Sequence, residues 1–347
     1  MARSDPEKRR VQMMDIARLA GVSAATVSRA LNGSPLINAE TRQRIVELAN
    51  SLNYSINASA KRLRQGYNKT IGVVIPYQRK TRQHISDPFF LGMLGTLADA
   101  LTDRGHDMLL SRVDTERLED LAEIYSTGRA SAVAVIGQWD QHDPLNALAV
   151  RGVPFVVWGA HLPNQLYCTV GTDNARGGRI ATEHLLALGR RRLAFMGDIH
   201  MPEAAQRYEG HCDALRDAGL EPDPALLIPT SFKGDDAQLA MRKFLARRKR
   251  IDGLFAASDL IALNAMGVLM AQGQRVPQDV SVVGYDDIEA ASYGHLPLTT
   301  VRQPLDLAGR EMVDCLLQAA QGQRPASRVL ETTLQARAST APLDPAP

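Results

Sequence analysis

Apolar and polar positions divide the chain into two textures. From Thr70 onward, short apolar runs recur: IGVVIP at 71–76, AVAVIG at 132–137, PFVVW at 154–158, LAFMGD at 193–198, GLFAAS at 253–258 and SVVGYDD at 281–287. Uninterrupted runs of this length, bounded by glycine and polar residues, read as strands buried on both faces. Helix-length segments lie between them and repeatedly stop on glycine, as in DRGHDMLL, LALGRRRLAF and MAQGQRVPQDVSVVG. Strands alternating with helices predict βαβ units, hence doubly wound parallel sheets with helices on both faces. About 270 residues of this pattern are enough for two such lobes. Ligands in such folds bind at the carboxyl ends of the strands, which between two lobes means a cleft.

Residues 13–52 follow a different period. Met13, Ile16, Ala17 and Ala20 stand at i, i+3, i+4 and i+7, one apolar face of a helix. Gly21 stops that helix and Ser23 can cap a second one, which buries Val27 and Leu31 and ends at the Asn32-Gly33 turn signal. Asn38 can cap a third, with Ile45, Leu48, Ala49 and Leu52 on one face. Gln12, at the cap position of the first helix, is a poor cap residue, so fraying is expected there.

Charge sharpens this division. The 347 residues carry 40 Lys/Arg and 38 Asp/Glu, a formal net charge of +2. Residues 1–69 hold twelve basic against five acidic residues, a net +7 that leaves −5 for the rest. A basic three-helix head on an acidic body points to nucleic acid as the partner of the head alone. Hydrophobic content of 45% and charged content of 22% fit a soluble globular chain. No run approaches membrane-span length, and the basic N-terminus lacks the apolar stretch of a secretory signal. Cys168, Cys212 and Cys315 are odd in number and widely spaced, which suggests reduced thiols in a cytoplasm, with no disulfide framework or metal-type spacing. No G-x-S-x-G, H-E-x-x-H or Walker pattern occurs. His211 and Cys212 are adjacent, poor geometry for a nucleophile and its base. No enzymatic activity, metal or cofactor is expected.

The stretches DIARLAGVSAATVSRALN, ETRQRIVELANSLNYSINASAKRLRQG, TIGVVIP, SDPFF, TDNARGGRIATEHLLALGRRRLAFMG, VSVVGYDDIE and PLTTVRQP resemble, in order and spacing, the lac repressor and galactose repressor family of bacterial transcription regulators. The resemblance spans nearly the whole chain. It implies a basic arm at 1–12, a helix-turn-helix head at 13–54 and a hinge helix with linker at 55–69. A two-lobed body at 70–340, like periplasmic binding proteins, follows: a near lobe of about 70–171 and 302–330, and a far lobe of about 172–301 and 331–340. Residues 341–347, Pro-rich, form a tail.

Function follows as an expectation: a homodimeric repressor of sugar-utilisation genes, bound to a pseudo-palindromic double-stranded operator and controlled by a small sugar between the lobes. A sugar-binding protein without regulatory role, or a regulator of a non-sugar metabolite, is the alternative. Under the resemblance, Ala24, Ala25, Ser28 and Arg29 face the major groove. The alanine methyls can pack on thymine methyls, and Arg29 can donate to guanine. Ser23, Thr26 and Asn32 serve phosphates. In the hinge, Asn57, Ala60 and Leu63 face the minor groove, with Leu63 the wedge that kinks the central step. The effector residues implied are Phe89, Phe90, Trp158, Arg207, Ser258 and Asp286, with Asp87 and His161 as further contributors. Ser258 stands where the family often has Asn, which implies an altered effector. Capping and packing explain Asp173 and Gly177-Gly178 better than phosphate binding, and one of the two phenylalanines is expected in the core.

Overall fold

The computed structural model describes residues 12–31, 34–52, 68–78, 84–247 and 250–343. Asn32, the hinge candidates Asn57, Ala60 and Leu63, and the arm ahead of Gln12 lie outside the described residues. Contacts divide the chain into residues 1–68 and 69–347.

In the first unit, α1 (Met13–Ala20), α2 (Ala24–Leu31) and α3 (Ala39–Ser51) enclose a small core of Ile16, Ala17, Ala20, Val27, Ala30, Ile45 and Ala49. Each boundary has a local cause. Gly21 adopts φ +65, a left-handed stop. Ser23 Oγ accepts the Thr26 N–H at 3.1 Å and Asn38 Oδ1 that of Thr41 at 2.8 Å. Arg44 reaches back to the Ala20 carbonyl at 3.1 Å, satisfying an end of α1. The expected fraying at Gln12 is corrected: the Asp15 carboxylate accepts the Gln12 N–H at 2.9 Å, so the third residue of the helix supplies the cap.

The body holds two six-stranded sheets. The first has the order β11-β5-β4-β3-β1-β2, with β1 Thr70–Tyr77, β2 Asp107–Asp114, β3 Ala132–Ile136, β4 Phe155–Trp158, β5 Cys168–Thr172 and β11 Arg328–Leu330. The second has the order β12-β10-β9-β8-β6-β7, with β6 Leu193–Met196, β7 Leu227–Ile228, β8 Gly253–Ala256, β9 Ser281–Asp286, β10 Thr299–Arg302 and β12 Thr333–Gln335. All pairings are parallel except β10 with β12. Every apolar run singled out in the sequence is one of these strands. The chain passes between sheets after β5, after β10 and between β11 and β12. The helix Leu305–Ala320 therefore returns to the first lobe, where Ala308, Met312, Val313 and Leu316 join its core.

Both sheets reverse strand order once, at β1/β3 and at β6/β8. A crevice opens outside the carboxyl ends of parallel strands at such a switch point. The two crevices face each other across one cleft.

Candidate functional site

Strand ends from both lobes build the cleft. It is lined from the first lobe by Asp87, Phe89, Phe90, Ile136, Gly137, Trp139 and Trp158, and from the second by Met201, Glu203, Arg207, Phe232, Ser258 and Asp286, with Gln303 at a crossing strand. It encloses about 670 Å³, open mouth included, in the range of small-molecule sites.

On the first-lobe side, Asp87 caps the helix Pro88–Asp103 by accepting the Phe89 N–H at 3.0 Å, with Pro88 in the first turn. This turn fixes Phe89 at the cleft, half-buried, with its ring centroid 6.3 Å from Trp158 and 6.0 Å from Phe90. Phe90 is the core member of the pair, 6% exposed. Trp158 is buried at the end of β4.

On the second-lobe side, the helix Pro202–Asp217 carries Arg207, 5% exposed. Its Nε donates to Asn174 Oδ1 at 2.9 Å and Nη1 to the Ala257 carbonyl at 2.5 Å, while the guanidinium lies 3.6 Å above the Tyr285 ring centroid. A flat cation so held leaves its remaining N–H groups in a fixed fork. Gly177 and Gly178 make room for this assembly: a Cβ at Gly177 would sit 2.5 Å from Tyr285 Oη, and at Gly178 2.0 Å from the Arg207 carbonyl. Asp173 caps its helix through the Arg176 N–H at 2.9 Å.

Asp286 takes φ +117 at the end of β9, a conformation that non-glycine residues adopt only when held there. Gln303 Nε2 donates to its Oδ1 at 2.7 Å. Asp287, at φ +59, pairs with Arg337 at 2.5 Å. Ser258 Oγ accepts the Ile261 N–H at 3.2 Å and so caps the helix Asp259–Ala271, which leaves the hydroxyl proton to donate. Behind it, the fully buried Asp259 accepts from Thr300 Oγ1 at 2.5 Å and the Ile288 N–H at 2.9 Å.

These carboxyls are electrostatically unusual. Burial pushes Asp286 up to about 7, against the pull of the Arg207 cation and the Gln303 amide. Asp259 is raised by burial and then by Asp286. Between its ordinary range and pH 7, Asp286 binds its proton more readily in the fold than in the unfolded chain, so its contribution makes stability fall as pH rises through that window. His211 opposes this: burial lowers it to about 4, so its contribution makes stability rise from about pH 4 to 6.5. Asp286→Asn removes the falling slope. Its stability relative to the wild type should climb by about 1 kcal/mol per pH unit between pH 4.5 and 6.5, read by urea unfolding; parallel pH profiles would contradict this.

The structure sets three of the sequence-derived residues apart from the rest. His161 is exposed and does not line the cleft. Ser28, grouped with the groove readers, is only 8% exposed and packs inward with Val27. Ala24 is half-buried against the head core. The exposed face of α2 is therefore Ala25 and Arg29, one turn apart, beside Ser23 and Thr26, whose hydroxyls bond each other at 2.9 Å. His211 Nδ1 is engaged with Thr182 Oγ1 at 2.8 Å. Sequence reasoning missed Trp139, Glu203, Phe232 and Gln303. Trp139 and Glu203 stand within about seven residues past the carboxyl end of a strand flanking a switch point, Phe232 follows the edge strand β7 and Gln303 follows β10, so scanning every strand end would have covered all four. No helix among the described residues is long and apolar enough to cross a membrane.

Comparison with known proteins agrees with this architecture. The family model for bacterial regulatory proteins of the lacI family matches residues 12–57, and that for the periplasmic binding protein-like domain matches 182–340. The chain is 36% identical over 342 residues to the HTH-type transcriptional regulator CelR of Thermobifida fusca, covering 96% of this chain and 99% of that protein. It is 29% identical over 310 residues to the HTH-type transcriptional repressor PurR of Haemophilus influenzae, covering 88% and 89%. Among solved structures it resembles a CelR–cellobiose complex (TM-score 0.70, 34% identity, 95% and 100% coverage). It also resembles the lac repressor dimer bound to operator and the anti-inducer ONPF (TM-score 0.83, 26% identity, 96% and 100% coverage). The chain belongs to the lacI family of bacterial regulatory proteins.

Proposed function

We propose that this protein is a homodimeric, sequence-specific DNA-binding repressor of sugar-utilisation genes that works in the cytoplasm, without enzymatic activity, and is controlled by a neutral disaccharide bound in the cleft. The observation that carries the reading is the lining itself. Aromatic rings from both lobes offer flat platforms for sugar faces, and Asp87, Glu203, Asp286 and Ser258 supply acceptors and a donor for hydroxyls around the single Arg207 fork. Among the described lining residues, three carboxyls against one guanidinium disfavour a phosphorylated sugar, which would bring further negative charge into a low-dielectric site. A disaccharide suits two facing sets of rings, and the CelR relative is solved with cellobiose. A purine, the chemistry the PurR name suggests, would leave most of these acceptors unpaired.

A lone three-helix head reads few base pairs, and pairing two heads on a palindrome supplies specificity. Within α2, Ala25 brings a methyl and close backbone approach, and Arg29 brings the hydrogen bonds. Selection from random duplexes should return a pseudo-palindrome with one guanine per half-site assigned to Arg29. Arg29→Ala should relax that position and weaken binding by about 1–3 kcal/mol; an unchanged base preference would overturn the assignment.

A further inference from the structure

Two of the segments that cross between the lobes are tied to each other by side chains. Thr172 ends β5 in the first lobe, where the chain first crosses, and Gln303 follows β10 in the second lobe, where it crosses back. Both are buried. Thr172 Oγ1 donates to Gln303 Oε1 at 2.9 Å, and Gln303 Nε2 donates to Asp286 Oδ1 at 2.7 Å. A side-chain amide has an acceptor end and a donor end, so Thr172 on one and Asp286 on the other fix its orientation. The Gln303 backbone N–H adds a bond of 3.3 Å to the Asp286 carbonyl. Tyr285 Oη lies 3.5 Å from Thr172 Oγ1, whose proton is committed to Gln303, so the phenol is the donor there. Asn174 Nδ2 donates to the Thr172 carbonyl at 3.2 Å, and its Oδ1 receives Arg207 Nε. Thr172 thus stands where short paths from two cleft residues, Asp286 and Arg207, meet. The third crossing, between β11 and β12, carries Thr332, also buried, whose Oγ1 has no partner among the described residues. Its side chain adds nothing to the tie.

A rotation of one lobe against the other is absorbed in the backbone torsions of such crossing segments. A buried hydrogen bond between two of them favours the arrangements in which both ends stay in register, because water cannot readily replace it. Asp286 also lines the cleft, so a ligand hydroxyl that donates to it shares one carboxylate with the Gln303 amide. Occupancy of the cleft and the hold on the crossings then act on a single group. A ligand shifts the lobes only through unequal affinity for their arrangements, and this shared carboxylate supplies the inequality.

We propose that Gln303 is a positioning residue that reads cleft occupancy at the crossings: its amide clasps Thr172 to Asp286, so that an effector hydroxyl on Asp286 sets the geometry of two crossings together. The clasp is independent of ligand identity; its sensing role rests on the disaccharide reading above.

Thr172→Val tests this on the full-length protein, since it removes the hydroxyl, keeps the side-chain shape and leaves the Gln303 bond to Asp286 in place. Thr172 is not among the residues that line the cleft. Without ligand, peptides spanning 171–175 and 302–306 of this variant should exchange hydrogen at least about tenfold faster than in the wild type, while the β6 and β8 peptides keep their protection. Thr172→Ser, which retains the hydroxyl, should stay near the wild type. Cellobiose is the probe for sensing, and its affinity for Thr172→Val should remain within about threefold of wild type. Its effect on operator affinity, at least about tenfold in the wild type, should shrink to about twofold or less in Thr172→Val and return in Thr172→Ser. Unchanged exchange in the two segments would overturn the clasp, and so would faster exchange spread through both lobes. A full operator response in Thr172→Val would overturn the sensing role, as would a loss of cellobiose affinity that parallels the lost response. Wild-type protein that fails to bind cellobiose would overturn the disaccharide reading, while the exchange result still decides the clasp.

Discussion

Arg207→Lys should weaken effector binding by about 100-fold, near 2.7 kcal/mol, while effector-free operator binding survives. Charge is conserved in this variant, so the loss isolates geometry. Lysine cannot donate to Asn174 Oδ1 and the Ala257 carbonyl while lying flat on the Tyr285 ring, as the arginine does, and its ammonium has no fixed fork for paired hydroxyls. The cation also offsets charge on Asp286 and Glu203, so Arg207→Ala would mix lost contacts with uncompensated carboxyls. Calorimetric titration with cellobiose and an operator gel shift on the same preparation separate the two readouts. An affinity within about threefold of wild type would remove Arg207 from the effector contacts.

Arg190→Ala should destabilise the body by at least about 3 kcal/mol. Arg190 is fully buried and ties three separate stretches together. Its guanidinium donates to Pro277 at 2.8 Å, to Gln278 at 3.0 Å and, on the closing segment of the chain, to Ala341 at 3.0 Å. Truncation would strand these carbonyls in a volume water cannot readily fill, and each unsatisfied buried acceptor costs on the order of 1–3 kcal/mol. For lobes of this size that is a fall in Tm of roughly 6–12 °C. The adjacent Arg191→Ala is the control. Its side chain is exposed, and the Asp252 carboxylate holds this turn through the Arg191 and Arg192 backbone N–H groups, which the substitution keeps. Its effect should stay within about 0.5 kcal/mol. Equal Tm values for the two variants would contradict the staple.

The contrast between these neighbours shows what one chain of letters can and cannot convey. Nothing local in Gly-Arg-Arg-Arg separates the buried cation from its exposed neighbours, because the carbonyls that receive it come from residues some 90 and 150 positions later. Central strands were legible for the opposite reason: burial on both faces leaves an uninterrupted apolar run. The edge strand β2, whose first six residues are a mixture of exposed and half-buried positions, and the short β7, β11 and β12 leave no such mark. In the head, helical spacing located all three helices, yet the cap of α1 was misjudged because the satisfying group is Asp15, not Gln12. Family resemblance supplied Arg207 and Asp286, and both line the cleft. It supplied the face of α2 without depth, so Ser28 was grouped with residues far more exposed than itself. Trp139 went unnoticed since it sits on a loop turned by a left-handed residue, Trp139 itself at φ +53, and Glu203 because it stands seven residues past the end of β6, inside the next helix.

The central claim is that a ligand in the cleft governs the hold of the head on DNA. The direct measurement is the affinity of the full-length protein for its selected operator, titrated with and without saturating cellobiose at one fixed salt concentration, since phosphate contacts make every such affinity salt-dependent. The account predicts a change of at least about tenfold, a coupling near 1.4 kcal/mol, that disappears in Arg207→Lys at the same cellobiose concentration. An operator affinity indifferent to cellobiose, in a protein shown by calorimetry to bind it, would contradict the account.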